Sequence, residues 1–102
     1  MTKVYARQKG SRYYLSANGH ATGSEPVCAG VSALLYALAG YLTNAKEDGT
    51  VAINEWLIED GNVLFFYDGG RETQAAYDLT IIGLQQIAQS YPQFIQVHIL
   101  TA

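Results

Sequence analysis

The chain has 102 residues and a net charge of −3, with nine Asp and Glu against six Lys and Arg. That length suits a single domain over residues 1–102, and 49% hydrophobic against 15% charged residues excludes a disordered chain. The mild acidity offers no basic patch of the kind that neutralises phosphates, so nucleic acid is not an expected partner.

One cysteine cannot form an internal disulfide framework and suits a reducing compartment. The segment Met1–Arg7 lacks the apolar core of a signal peptide. The apolar run Val27–Leu42 is shorter than the roughly 20 residues that cross a bilayer. A cytoplasmic protein without membrane contact is the expectation.

In chain order, Thr2–Gln8 and Arg12–Ala17 are rich in residues that suit a pleated surface, with a turn at Lys9-Gly10-Ser11. A loop over Asn18–Glu25 follows, in which Gly19 and Gly23 permit backbone angles other residues avoid. A helix is predicted from about Pro26 to Asn44, with Ser24 or Glu25 as its cap. Its apolar residues run almost all round, which requires cover on most sides. Asn44–Gly49 reads as a solvated loop. Val51–Ile58 and Val63–Tyr67 form a hairpin through Glu59-Asp60-Gly61-Asn62, where Asp-Gly is a strong turn signal. A second helix runs from about Glu72 to Tyr91, with a stripe at Tyr77, Ile81, Leu84, Ala88 and Tyr91, and ends before Pro92. Ile95, Val97 and Ile99 alternate with polar residues as a last strand.

The order ββαββαβ predicts an α+β, two-layer fold, with two helices on one face of a mainly antiparallel sheet of about five strands. The apolar surplus, including Trp56, Phe65 and Phe66, points to a homodimer that covers the open face.

The chemistry concentrates between Gly19 and Ser32. Cys28 falls in the first turn of the first helix, where unpaired amides and the positive end of the helix dipole favour a thiolate. Those same amides, from Cys28 and its neighbours, are the expected oxyanion donors. Against this, a free cysteine is commonly an inert, buried residue. His20 lies in a glycine-flanked loop and has the right chemistry to accept the thiol proton and return it to a leaving amine. The stretch between them can extend to roughly 25 Å, so the spacing permits contact without forcing it. His98, on the polar phase of the last strand, is the weaker candidate base. Glu25 sits at the helix start, for capping or for orienting His20 or a substrate. Ser32 is one turn beyond Cys28 on the same helix face and can support the site or bond back to a helix carbonyl. One Cys and two scattered His make no metal centre, and no phosphate-cradling glycine motif occurs, so no metal or cofactor is expected.

Gly19-His20-Ala21, followed by Gly23-Ser24-Glu25-Pro26-Val27-Cys28-Ala29-Gly30-Val31-Ser32, resembles the paired motifs of the ribosomal-processing cysteine proteases, the Prp family. The resemblance extends to length and element order. It implies a cysteine endopeptidase that removes the N-terminal extension of a large-subunit ribosomal protein after an aromatic residue. The catalytic pair maps onto His20 and Cys28, and the motif's Asp and Ser onto Glu25 and Ser32. It implies a dimer as well. The chain departs from the family pattern in a shorter His-to-Cys loop, in Glu25 where the motif has Asp, and in Gly30 where it has Ala. The alternatives are a non-catalytic binding or assembly module of the same fold and a thiol peptidase with another peptide substrate.

Overall fold

A computed structural model describes residues 1–21 and 23–100. Alternating side chains give each strand one face to bury. The strands are β1 (Thr2–Lys9), β2 (Arg12–Asn18), β3 (Val51–Glu59), β4 (Asn62–Gly69) and β5 (Ile95–Leu100), and the helices are α1 (Glu25–Glu47) and α2 (Arg71–Ser90). They follow the expected ββαββαβ order in an α+β fold.

The sheet order is β3-β4-β2-β1-β5. Three neighbouring pairs are antiparallel, and β5 runs parallel to β1 at the far edge. A parallel neighbour needs a crossover, which α2 supplies. Val4, Ala6, Leu15, Phe65, Tyr67 and Ile95 lie on one sheet face, each at most 1% exposed. The stripes of α1, at Val27, Val31, Leu35, Leu38 and Leu42, and of α2, at Tyr77 and Leu84, cover that face. Full burial of such side chains stabilises the fold by about 1.5–3 kcal/mol each.

The end of α1 and the buried stripe of α2 differ from the sequence reading. α1 continues through Ala45, Lys46 and Glu47 because Ala45 is buried beneath it and Lys46 suits the negative helix end. It stops where Gly49 adopts φ +78° and its N–H returns to the Lys46 carbonyl at 3.1 Å. At 23 residues the helix has the length and hydropathy to cross a membrane, yet its stripe packs on the sheet and α2. In α2 the predicted stripe is incomplete: Thr73 and Thr80 are buried while Tyr91 is exposed beyond the helix end. Thr80 is accommodated by donating its hydroxyl to the Ala76 carbonyl at 2.8 Å.

The register also corrects the apolar surplus. Trp56 pairs with Phe65, which pairs with Leu15, so both aromatics face the helices. A bulge between Ile53 and Glu55 shifts the parity of β3 and makes this so. Of the three, only Phe66 lies on the open face, edge-on to Tyr14 with centroids 6.3 Å apart. Ile99 is 53% exposed, since β5 is an edge strand that the helices cover only at its start.

Candidate active site

The site forms where β2 leaves the sheet and α1 begins. Ser24 is the cap of α1: its backbone is extended, and its hydroxyl accepts from Val27 N–H at 3.4 Å. Glu25 and Pro26 open the helix, and Cys28 is its fourth residue. The Cys28 amide donates to the Ser24 carbonyl at 3.1 Å. Among the amides expected to hold an oxyanion, those of Cys28 and its neighbours, Val27 N–H and Cys28 N–H are therefore both engaged in the helix start. The competing acceptors both belong to Ser24, its hydroxyl for Val27 and its backbone carbonyl for Cys28.

Cys28 is half-buried, packs against the core, and its thiol donates to the Ala21 carbonyl at 3.7 Å. It lines two cavities. One, of about 490 Å³, also contains Gly19, His20 and Ser32. The other, of about 510 Å³, contains Ala21, Gly23, Ser24 and Glu25. Cys28 thus stands between one cleft that includes Leu35, Tyr36 and Ile58 and another walled by the loop and first residues of α1. Four of the five singled-out residues share the first cavity; Glu25 lines the second, apart from His20.

Gly19 is required by its surroundings. Its φ is +90°, and a Cβ there would collide with the Met1 carbonyl. Its N–H donates to the Gly61 carbonyl at 2.8 Å. Two strands therefore fix the residue before His20. The imidazole is half-exposed, with Nε2 4.0 Å from Asp60 Oδ1. His98 is stacked on Tyr5, centroids 5.1 Å apart, on the open sheet face away from α1.

The turn residues Asp60 and Gly61 are the part that sequence reading missed. They were legible as a hairpin turn, but their place at the site follows from the β2–β4 register, in which Asn18 opposes Asn62. No local motif announces that pairing of distant strands.

Comparison with solved structures returns the same fold over nearly the whole chain. SMU.848 from Streptococcus mutans aligns with a TM-score of 0.73 and 19% identity, covering 100% of this chain and 96% of that one. The ribosomal processing protease Prp from S. aureus, in complex with a covalently linked product peptide, aligns at 0.72 and 21% identity, covering 98% and 100%. The same protease with a substrate peptide aligns at 0.70 and 20%, again covering 98% and 100%. Comparison with curated protein sequences gives no match. The profile of the cysteine protease Prp family matches residues 1–96, and on that evidence the chain belongs to the Prp family of cysteine proteases.

Proposed function

We propose that this cysteine peptidase removes the N-terminal extension of a large-subunit ribosomal protein, with Cys28 as nucleophile and His20 as general base and acid. The observation that carries the reading is that the thiol and the imidazole, from separate elements, line one cavity in a chain of this family. The S. aureus relative, seen with substrate and product peptides, supports a peptide substrate. Cys28 opens onto two cavities, which favours a reactive thiol over an inert buried one.

His20 takes the thiol proton and the thiolate attacks the scissile carbonyl carbon, forming a tetrahedral oxyanion. The positive end of α1 favours that charge. The 3.4 Å bond between Val27 N–H and Ser24 is long enough to yield to a stronger, charged acceptor. Collapse breaks the C–N bond as His20 returns its proton to the leaving amine, leaving a thioester. Water, deprotonated by His20, attacks the thioester carbon; the C–S bond breaks, His20 returns the proton to the Cys28 sulfur, and the acid product is released. The apolar wall of Leu35, Tyr36 and Ile58 suits an aromatic side chain beside the cleaved bond.

The protein acts in the cytoplasm as a homodimer joined through the open sheet face, where Tyr14, Leu64 and Phe66 are half-buried apolar residues. A monomer mass by light scattering at micromolar concentration would exclude that assembly.

The decisive experiment incubates the protein with a synthetic peptide of the ribosomal extension, beside Cys28→Ala and His20→Ala. Cleavage by the wild type alone is the expected result. Cleavage that persists in Cys28→Ala would overturn the mechanism, and cleavage of other peptides but not this one would overturn the substrate.

A further inference from the structure

Two contacts of the β3–β4 turn are unexplained by the fold. The His20 ring lies against the Gly61 backbone so closely that a Cβ there would stand 3.0 Å from Cε1 and 3.1 Å from Cδ2, with Nε2 nearer still. Separately, Asp60 Oδ1 is 4.0 Å from Nε2. The turn is also bonded to the residue before the histidine, through Gly19 N–H to Gly61 O at 2.8 Å. A hairpin turn needs a glycine here for its φ of +75°; it has no need of an imidazole packed on it.

We propose that the Asp60-Gly61 turn positions His20 for catalysis: Gly61 seats the ring, and the Asp60 carboxylate, 4.0 Å from Nε2, favours the tautomer with its hydrogen there, so that Nδ1 exchanges the proton with Cys28. This rests on the reading of His20 as the general base. The thiol proton moves to Nδ1 and later to the leaving amine, while the Nε2 proton stays in place beside the carboxylate. A third group that fixes the base in one tautomer is a general requirement of such pairs. Glu59 at the end of β3, Asp60 of the turn, and Cys28 and Tyr36 of α1 are the ionisable groups that share the ring's cavity, and Asp60 is the carboxylate within 4.0 Å. Its side chain is 99% exposed, so solvent screens its charge. The seat at Gly61 is accordingly the larger effect.

The test uses the whole protein with Gly61→Ala, Asp60→Ala, Asp60→Asn and Gly10→Ala. Gly10 is the control: at φ +59° it bears the same left-handed strain in the β1–β2 turn, with nothing within 4 Å of an added Cβ. Two rates are read, alkylation of Cys28 by iodoacetamide and cleavage of the extension peptide. Gly61→Ala slows alkylation and kcat by roughly ten- to a hundredfold, as misplacement of a catalytic group does, with KM within about twofold. Asp60→Ala slows both by about two- to fivefold, as befits an exposed charge, and Asp60→Asn, which keeps an acceptor oxygen, restores most of it. Gly10→Ala leaves both rates unchanged.

Wild-type rates in Gly61→Ala, or an equal loss in Gly10→Ala, would overturn the seat. Asp60→Asn as slow as Asp60→Ala would overturn the acceptor role. Fast alkylation without peptide cleavage counts against the proposed substrate alone, because the alkylation series still decides the role of the turn.

Discussion

The Ser24 hydroxyl caps α1 through Val27 N–H at 3.4 Å, at the long end of hydrogen bonding, one residue before Cys28. Ser24→Ala removes a weak cap, so thermal unfolding should show a loss of about 0.5 kcal/mol, the low end for such substitutions. If Val27 N–H receives the oxyanion, kcat does not fall in this variant. A kcat reduced as far as in His20→Ala would give Ser24 a role of its own in the reaction.

Tyr67 is wholly buried, stacked on Tyr13 with centroids 5.2 Å apart, and its hydroxyl finds no hydrogen-bond partner among the described residues. An orphaned polar group of this kind costs about 1–3 kcal/mol. Tyr67→Phe removes the oxygen and keeps the ring, and urea titration should show it more stable by about 1 kcal/mol. A less stable variant would mean that an internal water satisfies the hydroxyl.

Tyr77, together with the more deeply buried Tyr67, contributes to the alkaline limit. Burial foremost, and then the nearby Asp78 carboxylate, push its phenol up from 10.0 to about 12. Its hydroxyl donates to the Tyr14 carbonyl at 3.0 Å. The folded state therefore holds its proton where the unfolded chain has lost it. Stability from this group is complete below pH 10 and is lost as pH rises towards 12. Melting temperatures from pH 8 to 12 should stay level and then drop through that window, less steeply in Tyr77→Phe.

The helices meet through two glycines that behave differently. A Cβ at Gly30 would lie 3.2 Å from Ile87 Cδ1, whereas one at Gly83 would lie 2.9 Å from both methyls of Leu34. Ala for Gly gains about 1 kcal/mol of helix propensity in each case. At Gly30 a small shift of one methyl suffices, and Gly30→Ala should stabilise by about 0.5 kcal/mol. At Gly83 overpacking of about 1–3 kcal/mol outweighs the gain. Calorimetry should place the two variants on opposite sides of wild type.

On the open face, Asp68 is held below its usual 3.8, first by the Asn54 amide at 2.8 Å and then by Arg12 at 3.2 Å. Its contribution to stability is present above pH 3.8 and is lost as the pH falls through the lowered value. Asn54→Ala should move the carboxyl's NMR titration back towards 3.8 further than Arg12→Ala does.

Local signals carried most of the architecture. The Asp60-Gly61 turn, the Pro26 helix start, the stop before Pro92 and the alternation of β5 were each decided by residues a few positions apart. That His20 and Cys28 line one cavity was within reach of the sequence because they flank one loop. What escaped was set by pairing between distant strands. The bulge at Asn54, which turned Trp56 towards the helices, depends on β4 as its partner. The Asp60-Gly61 turn reached His20 only because β2 and β4 lie side by side. The Ser24 cap took amides that were expected to serve the oxyanion, a competition between two acceptors that residue spacing leaves undecided.

The parallel pairing of β5 with β1 has a consequence for biosynthesis. Thr2 N–H donates to the Phe94 carbonyl at 2.9 Å, Thr2 Oγ1 reaches the Gly19 carbonyl at 3.5 Å, and Gly19 precedes the histidine. The loop that carries His20 is thus moored to a strand whose anchor, Phe94, follows both helices in the chain. Closing so long a loop is among the slow events of folding. A nascent chain has made its thiol before Phe94, so the His20 loop gains this anchor only once both helices have been synthesised.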